Sequence, residues 1–582
     1  MNHARAMVAA GAAVLSLVGA GARPARACGG FFCDQPASNT PLPIAQAAEN
    51  VLFVMGKDPV THAATVDAHI QIFYTGPASK FSWIVPVTST PTVTVGSDIL
   101  FDRIEPPTRP SFNVTYQMEG NCQGVNGVGA GCGSAAGGAS ASKDNGGGPV
   151  DGGVGVQVLS SGSVGPFDYV VISSTDGATL RSWLTTNGYY VSDDSGKIID
   201  AYVADNFAFV AVRLQPGQTA SAIRPIVLHL AATEACLPLK LTAIASTPDL
   251  RINVWVLADA RAVPLAYSEI EIDQARLDWF TGGSNYDQLL KEAANEAGGD
   301  AFAVEYAMPV SNSTTWFTLA SNVRGDLATA TTPPLFMAAL ARAGLTPTGA
   351  VLQILRQYIP EPAGLVTQGT SEATFYANLS YYWSNNMAAF APFDPVAATA
   401  QMDADVLTPM DNYRVLFARN GILTRLATFI SPEEMTKDPL FVTNASLPNV
   451  APQHVAVAHV MCGDGTQVCS APVRLRTEDG QDVNYAAKPS SCRQYDRGDL
   501  DQRLPASTVA WTRSGDGEGQ MVVDNRAMIS GALKAHNESV PVPVQSPGGC
   551  GCTTGGSPGL MVWLTMAAGG LAIWRRRRHH RR

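Results

Sequence analysis

Short apolar runs of the strand type, separated by turn residues, constrain the fold of this chain more than any other feature. The clearest run places five apolar side chains on one face of a strand: Val66, Ala68, Ile70, Ile72 and Tyr74. Comparable β-branched and aromatic runs occupy 81–87, 207–214, 223–230, 239–245 and 251–257. Because turns rich in Pro, Gly or Asp separate these runs, the pattern predicts a half-buried, mainly antiparallel sheet.

Helical spacing is less frequent. It occurs in four segments, at 178–187, 285–297, 335–343 and 349–358. Gly188 and Gly298 follow the first two segments directly, and glycine commonly follows the last residue of a helix. The fold class that we predict is therefore α+β, with strands before residue 331 and a mixed α/β region after it.

The order of these patterns predicts two domains joined near the Pro-rich segment 331–334. A β-rich domain is expected at 28–335 and a mixed second domain at 336–545. Between Gly120 and Gly155 the chain has 14 glycines in 36 residues and few large apolar groups. Such a segment cannot bury enough surface to offset its ordering entropy, so we expect a disordered insertion at 120–160.

The N-terminal residues have the order of a secretory signal peptide. Arg5 precedes an apolar run at 7–20, and the small residues Ala25 and Ala27 flank Arg26. Cleavage after Ala27 would make Cys28 the first residue of the mature protein, and lipidation of Cys28 is the alternative to ordinary cleavage. The sequence therefore predicts export, with signal peptidase as a partner.

The C-terminal residues have the order of a membrane anchor. A Cys/Gly/Ser spacer at 546–559 precedes an apolar helix at 560–574, which would be ~22 Å long. The tail at 575–582 contains six arginines, which places it in the cytoplasm by the positive-inside rule. The residues before Cys550 are then outside, as the signal peptide also predicts.

This tail resembles the myxobacterial-type C-terminal sorting signal, because Cys550 and Cys552 precede an apolar run and an arginine cluster. The resemblance implies a sortase-like intramembrane protease as partner and cleavage near these cysteines. It also implies a location at the cell surface of a Gram-negative bacterium. A plain transmembrane anchor with incidental cysteines is the alternative.

The remaining cysteines are even in number, which in an exported chain predicts disulfides rather than a zinc site. Closeness in sequence favours three disulfides that each close a short loop, and the two remaining cysteines would form one disulfide between distant segments. The pairs would be Cys28–Cys33, Cys122–Cys132, Cys462–Cys469 and Cys236–Cys492.

The charge distribution excludes nucleic acid as a partner. The whole chain has a formal net charge of -10. Residues 28–552 carry 30 basic and 49 acidic side chains, because both termini are basic and lack acidic residues. Binding of phosphates requires a basic face, so this acidic body is poorly suited to nucleic acid.

Motifs that carry chemistry are rare. The one G-x-S-x-G match, at 555–559, lies in the spacer, and no phosphate loop occurs, so we expect neither a nucleophile elbow nor a nucleotide site. No histidine pair has the spacing of a metal site. Two acidic turns are weak calcium candidates, at 193–196 and at Asp496, Asp499 and Asp501. Solvated turns are the alternative, and we predict no other cofactor.

Residues 28–342 resemble a family of secreted bacterial proteins known as the domain of unknown function numbered 2330. The likeness rests on the motifs at 27–33, 71–76, 81–87, 207–214, 223–225 and 243–257. The segment 431–439 resembles a stretch that often follows this domain. The family brings no activity or catalytic residue with it.

Together these features predict an exported, surface-anchored protein that binds a ligand or has a structural role in the envelope without catalysis. The alternative is an extracellular hydrolase that acts on peptide or polysaccharide through Asp or Glu residues. A cleft that holds two carboxyl groups, one of them with a raised pKa, would favour the hydrolase.

Overall fold

The structure is a computed structural model that describes residues 45–75, 81–120, 155–189, 193–218, 222–244, 246–419, 421–462, 470–487 and 495–542. The predicted signal peptide, spacer, apolar helix and arginine tail lie outside these ranges, as do residues 121–154 of the predicted insertion. No helix within them is long and apolar enough to cross a membrane. The end of the predicted insertion is not disordered, because a strand begins at Val156.

Strands and helices alternate along the described residues. The strands are β1 (Ala45–Lys57), β2 (Ala64–Thr75), β3 (Ser82–Val87), β4 (Thr92–Val95), β5 (Ser111–Gly120), β6 (Val156–Val164), β7 (Phe167–Ser174), β8 (Ala208–Leu214), β9 (Ile226–Leu230), β10 (Ala235–Cys236), β11 (Ser246–Ala258), β12 (Arg261–Leu265), β13 (Ser268–Ile272), β14 (Ala301–Pro309), β15 (Ile422–Ile430), β16 (Leu440–Asn444), β17 (Gln453–Cys462), β18 (Val473–Arg476), β19 (Asp482–Ala487), β20 (Tyr495–Asp496), β21 (Ser507–Thr512) and β22 (Gln520–Asp524).

The α-helices are α1 (Ile99–Thr108), α2 (Gly177–Thr186), α3 (Asp193–Ala204), α4 (Leu239–Thr242), α5 (Tyr286–Glu296), α6 (Val323–Ala328), α7 (Pro333–Arg342), α8 (Gly349–Tyr358), α9 (Ala363–Thr367), α10 (Glu372–Ala377), α11 (Leu379–Asn386), α12 (Pro395–Met402), α13 (Thr408–Phe417) and α14 (Arg526–Ser539). A π-helix, Asp403–Leu407, joins α12 to α13.

A ten-stranded sheet forms the centre of the fold, with the strand order β22-β21-β13-β14-β15-β11-β1-β2-β9-β4. Smaller sheets have the orders β3-β8-β7-β6, β20-β19-β18-β17-β5 and β10-β16-β12. Most pairs are antiparallel, whereas β1 with β11, β13 with β14 and β5 with β17 are parallel. The predicted α+β class is confirmed.

Strand β1 is covered on both faces. Val51 and Phe53 pack into one apolar core, and Leu52 and Val54 pack into a second core that includes α1 and helices of the 323–417 region. Successive side chains of a strand point to opposite faces, so this strand separates the two cores. The central sheet is therefore buried on both sides at this position, not half-buried as the alternating pattern predicted.

The predicted boundary at residue 335 does not divide the described residues. Strand β15 lies between β14 and β11, and β21 pairs with β13, so strands from both sides of the boundary share one sheet. All of these elements belong to one compact unit that ends at Val542. The helices that suggested a second domain form an insertion between β14 and β15, and this insertion covers one face of the sheet.

Two local predictions were wrong. The apolar run at 239–245 contains the short helix α4 rather than a strand. Three residues of this helix are buried: Leu239, Leu241 and Thr242. The acidic turn at 193–196 is the first turn of α3. In both places a short stretch of sequence was compatible with several structures, and tertiary packing selected the helix. The helices predicted at 178–187 and 285–297 are confirmed as α2 and α5.

The predicted bridge between Cys236 and Cys492 is not formed, because Cys236 has a free thiol. Its strand, β10, pairs with β16, so Cys236 lies opposite Leu440. Burial and the nearby Asp438 carboxylate raise the pKa of the thiol to about 12. Cys462 is disulfide-bonded, and the other predicted disulfide cysteines lie outside the described residues.

Candidate functional site

A polar cleft lies where α1, α8 and the π-helix meet. Its volume is about 670 Å³, which is within the ~300–1,000 Å³ range of small-molecule sites. Its lining residues are Ser97, Asp98, Gln218, Ala222, Arg224, Ala350, Gln353, Ile354, Arg356, Gln357, Gln401 and Asp405. Four of them are glutamines, and the two carboxylates are balanced by two guanidinium groups. The lining is thus rich in hydrogen-bonding groups and has no net formal charge.

Asp98 precedes the first residue of α1 and is half-buried. Burial raises its pKa, and the nearby Asp405 carboxylate adds to the rise. Two groups lower the pKa of Asp98 and so oppose this rise. Gln71 Nε2 donates a 2.6 Å hydrogen bond to Asp98 Oδ1, and the positive charge of Arg224 favours the ionised carboxylate. Asp98 therefore holds a proton at higher pH than an ordinary aspartate does. In that form it can both donate and accept hydrogen bonds.

Asp405 reaches the cleft from the π-helix, Asp403–Leu407. Arg224 binds it in a bidentate manner, with Nη1 donating to Oδ1 at 2.5 Å and Nη2 donating to Oδ2. Gln401 Nε2 also donates to Oδ2. The Asp405 side chain is only 11% exposed, so its carboxylate is held rigidly by donors from the protein. π-Helical turns are rare and are frequently found at functional sites.

A buried row of three amide side chains, Asn253, Asn50 and Gln71, leads through the central sheet to Asp98. We call it the amide row. Asn253 Nδ2 donates to Asn50 Oδ1 at 2.9 Å, and Asn50 Nδ2 donates to Gln71 Oε1 at 2.9 Å. The three residues lie on the adjacent strands β11, β1 and β2 and are directly opposite one another in register. Each is at most 8% exposed.

The direction of the amide row is fixed by its two ends. At one end, Asn253 Oδ1 accepts hydrogen bonds from Arg251 Nε at 3.1 Å and Arg425 Nη2 at 3.3 Å. A guanidinium group can only donate, so every amide in the row must present its NH₂ group toward Asp98. The last donor of the row therefore reaches the Asp98 carboxyl in the cleft.

A buried ion-pair cluster anchors the far end. Arg425 Nε lies 2.7 Å from Glu305 Oε2, and both side chains are fully buried. Tyr286 donates its hydroxyl proton to Glu305 Oε1 at 2.9 Å. The register between β14 and β15 shifts at Glu305, which is the extra residue of a β-bulge. Bulges of this kind redirect a side chain, and here the redirected carboxylate meets Arg425.

Asp102, one turn after Asp98 on α1, holds the first residues of α8. Its Oδ2 accepts a 3.3 Å hydrogen bond from the backbone N–H of Ala350. Burial raises the pKa of Asp102 to about 7, and the neighbouring Asp98 adds to the rise. Gly349 has φ +49°, and a Cβ atom there would overlap the Asp102 carboxylate. Glycine at this position therefore allows α8 to approach α1.

The predicted calcium candidates do not converge. Asp501 lies 2.9 Å from Arg497 Nε, and Asp499 lies 2.6 Å from Arg503. Asp496 accepts a 2.8 Å hydrogen bond from the backbone of Gly498. Within the described ranges, no group of three His, Cys, Asp or Glu side chains is placed to hold a metal ion.

A second polar group lies across β2, β9 and β4. Asp67 Oδ1 is 2.9 Å from His229 Nδ1, and Thr94 Oγ1 is 3.0 Å from His229 Nε2. Asp67 and His229 are opposite each other in register, and His229 is 41% exposed. These contacts are those of an ordinary cross-strand pair at a solvent-exposed surface, and none of the three residues lines the cleft.

Sequence reasoning did not identify the cleft. Its polar groups come from distant segments, and Gln71, which lies behind the cleft and donates to Asp98, falls within the strand predicted at 66–74. A usable signal was present: His69 and Gln71 occupy the polar positions of the β2 alternation. We expected these positions to face solvent, whereas both side chains are less than 10% exposed.

The comparisons identify a family but no activity. A comparison with curated proteins gives no match, and a comparison with solved structures gives none. The family model that matches is DUF2330, described as an uncharacterized protein conserved in bacteria, and it covers residues 53–331. This segment includes Gln71, Asp98 and Arg224, whereas the cleft residues from Ala350 onward follow it. Over residues 53–331 this chain is thus similar to the DUF2330 family of uncharacterized bacterial proteins.

Proposed function

We propose that this protein is an exported binding protein whose cleft takes a neutral, hydroxyl-rich ligand, such as a segment of a polysaccharide. The observation that carries the proposal is the amide row, which delivers a buried donor to Asp98 inside the cleft. A fully connected buried polar row restricts its members to one arrangement and thus fixes the orientation of the Asp98 carboxyl.

The chemistry of the lining supports an uncharged ligand. Asp405 is neutralised by Arg224, and Arg356 lies 2.7 Å from Glu372. Gln353 and Gln357, one turn apart on α8, are exposed and make no side-chain hydrogen bond within the described residues. Free amides offer donors and acceptors together, and burial raises the pKa of the Asp98 carboxyl beside them; such a lining suits hydroxyl groups better than a charged ligand.

Hydrolysis of a glycosidic bond is the second candidate, favoured by one observation. A carboxyl with a raised pKa lies near a second carboxyl, as in the acid and base pairs of glycoside hydrolases. Asp98 would be the proton donor. Asp405 is a poor base or nucleophile, however, because both of its oxygens already accept hydrogen bonds from Arg224 or Gln401. Binding without turnover is therefore better supported.

An array of immobilised neutral oligosaccharides, probed with labelled protein of residues 28–545, tests this proposal. The expected result is selective retention on one class of neutral glycan. The bound glycan should stay intact, so an assay of newly formed reducing ends should give no signal. Reducing ends that appear with the native protein and not with Asp98→Asn would establish hydrolysis instead. Retention only on charged ligands would contradict both functions.

Export and surface anchoring are part of the proposal and rest on the two terminal segments. Signal peptidase would remove residues 1–27, and a sortase-like intramembrane protease would act near Cys550 or Cys552. Mass spectrometry of the native protein released from cells measures both mature ends. Ends at Cys28 and near Cys550 are expected, and a protein that retains its arginine tail would contradict the sorting step.

A further inference from the structure

A second, smaller cavity lies beside the sheet β3-β8-β7-β6. Its volume is about 210 Å³, below the ~300 Å³ that marks the lower end of drug-sized sites. It shares no lining residue with the cleft. Its size therefore suits a ligand smaller than a drug-sized molecule, and this ligand would be independent of the ligand of the cleft.

Two opposite charges face this cavity without a hydrogen bond between them. Asp168 on β7 and Arg213 on β8 are directly opposite in register, yet Arg213 Nε lies 3.8 Å from Asp168 Oδ2. This distance is too long for a hydrogen bond. The Arg213 side chain is 56% exposed, and its terminal nitrogens have no hydrogen-bond acceptor among the described residues.

One oxygen of Asp168 accepts no hydrogen bond from the described residues. Oδ1 accepts a 2.6 Å hydrogen bond from Ser163 Oγ and a 3.3 Å hydrogen bond from Gln215 Nε2. Oδ2 has only the distant Arg213 beside it. The cavity thus presents a guanidinium fork and a carboxylate oxygen that form a loose ion pair but accept or donate no hydrogen bond within the described residues. The first is suited to a carboxylate and the second to an ammonium group.

A rigid aromatic wall completes the cavity. Trp183 on α2 and Tyr189 are stacked, with ring centroids 6.5 Å apart and an angle of 18° between the planes. Both residues are less than 10% exposed. Asn187 is the C-cap residue of α2. Its Nδ2 donates a 2.8 Å hydrogen bond to the backbone carbonyl of Trp183 and so fixes the end of the helix that carries Trp183.

We propose that this cavity binds a small zwitterion of the α-amino-acid class. The ligand carboxylate pairs with Arg213, its ammonium group pairs with Asp168 Oδ2, and its side chain lies against Trp183 and Tyr189. A neutral sugar carries no charge to complement the guanidinium of Arg213 or Asp168 Oδ2, whereas a zwitterion offers a charged hydrogen-bond partner to both at once. The proposal does not depend on the function of the cleft.

Ligand-observed NMR with free amino acids of both hands as probes tests the proposal. We expect at least one apolar or aromatic amino acid to bind. Its N-acetyl derivative, which lacks the ammonium group, and its amide, which lacks the carboxylate, should each bind about tenfold more weakly or worse. Because these derivatives change only the ligand, this part of the test does not depend on whether a variant folds.

Arg213→Gln and Asp168→Asn should weaken binding of the same amino acid about tenfold or more. Arg342→Gln is the matched control, because it removes an exposed arginine that is paired with Asp326 at 3.3 Å outside both cavities. Circular dichroism melts check that each variant folds. The proposal is overturned if no free amino acid binds at about 10 mM, if the derivatives bind as well as the parent, or if Arg342→Gln weakens binding equally.

Discussion

Gln71 connects the interior of the sheet to the cleft through two hydrogen bonds. It accepts from Asn50 and donates to Asp98, and its side chain is buried. A leucine of similar volume would fill the space but would leave the Asn50 NH₂ group without an acceptor. A buried donor without a partner costs about 1–3 kcal/mol.

Gln71→Leu should therefore lower the free energy of unfolding by about 2 kcal/mol. Gln353→Leu, at an exposed position of the cleft, should change it by no more than about 0.5 kcal/mol. Urea denaturation of both variants measures the difference. Equal effects of the two substitutions would show that the amide row adds nothing specific to stability.

Asp102 makes stability depend on pH in a direction opposite to that of most aspartates. Its pKa in the fold is about 7, whereas that of an unperturbed aspartate is 3.8. Between these values the folded state holds a proton that the unfolded state has released, so stability falls as pH rises. His69, whose pKa burial lowers to about 4, acts oppositely, because acid favours its unfolded, protonated form.

Asp102→Asn removes the first of these effects and keeps an oxygen that can accept from Ala350. Relative to the native protein, the variant should gain stability on the order of 2 kcal/mol between pH 4 and pH 7.5. The contribution of His69 is common to both proteins and cancels in this difference. Urea denaturation at several pH values measures the gain, and a difference that is constant with pH would contradict it.

Helix α8 is the element that most directly shapes the cleft, since it supplies Gln353, Gln357 and Arg356. Its position depends on the contact of its first residues with Asp102 on α1. Gly349 and Gly344 offer a matched pair to test this contact. Both have positive φ, +49° and +69°, but a Cβ at Gly349 overlaps Asp102 whereas one at Gly344 has nothing within 4 Å.

Gly349→Ala should therefore destabilise the protein by about 2 kcal/mol more than Gly344→Ala does. The cost of a left-handed backbone conformation is common to both variants, so the difference reports the overlap with Asp102. Thermal and urea denaturation of the two proteins provide the measurement. If the two alanines cost the same, α8 is not held against α1 in this way.

Elements differed in how well the sequence predicted them. Helix α5 was predictable because Tyr286, Leu289 and Ala293 repeat at helical spacing and glycines follow it. The bulge at Glu305 and the π-helix that carries Asp405 were not, because both arise where tertiary contacts override a regular local pattern. These two irregular elements contribute Glu305 of the ion-pair cluster beyond the amide row and one wall of the cleft.

At the scale of the molecule, the sheet order explains why the two-domain prediction was wrong. Helical spacing after residue 331 was detected correctly, but sequence periodicity does not show which strands become neighbours. Strand β15 returns to lie between β14 and β11, more than one hundred residues after β14. The contact of Arg425 with Asn253 depends on this return, and with it one of the two guanidinium donors at the end of the amide row.

A fragment of residues 28–335 should consequently fail to fold, whereas residues 28–545 should fold. The fragment lacks β15, so β11 and β14 would expose unpaired edges in the middle of the sheet. Circular dichroism melts of the two proteins make the comparison. A cooperative transition of the fragment would indicate that the β-rich half is a domain of its own.

The central claim is that the cleft, with Asp98 held at the end of the amide row, is the binding site of the protein. Calorimetric titration of one retained neutral oligosaccharide into the native protein, Asp98→Ala and Asp326→Ala tests it directly. We expect Asp98→Ala to weaken binding about tenfold or more, and Asp326→Ala, which removes a half-buried carboxylate outside the cleft, to leave it unchanged. Equal affinity of all three proteins for the oligosaccharide would contradict the claim.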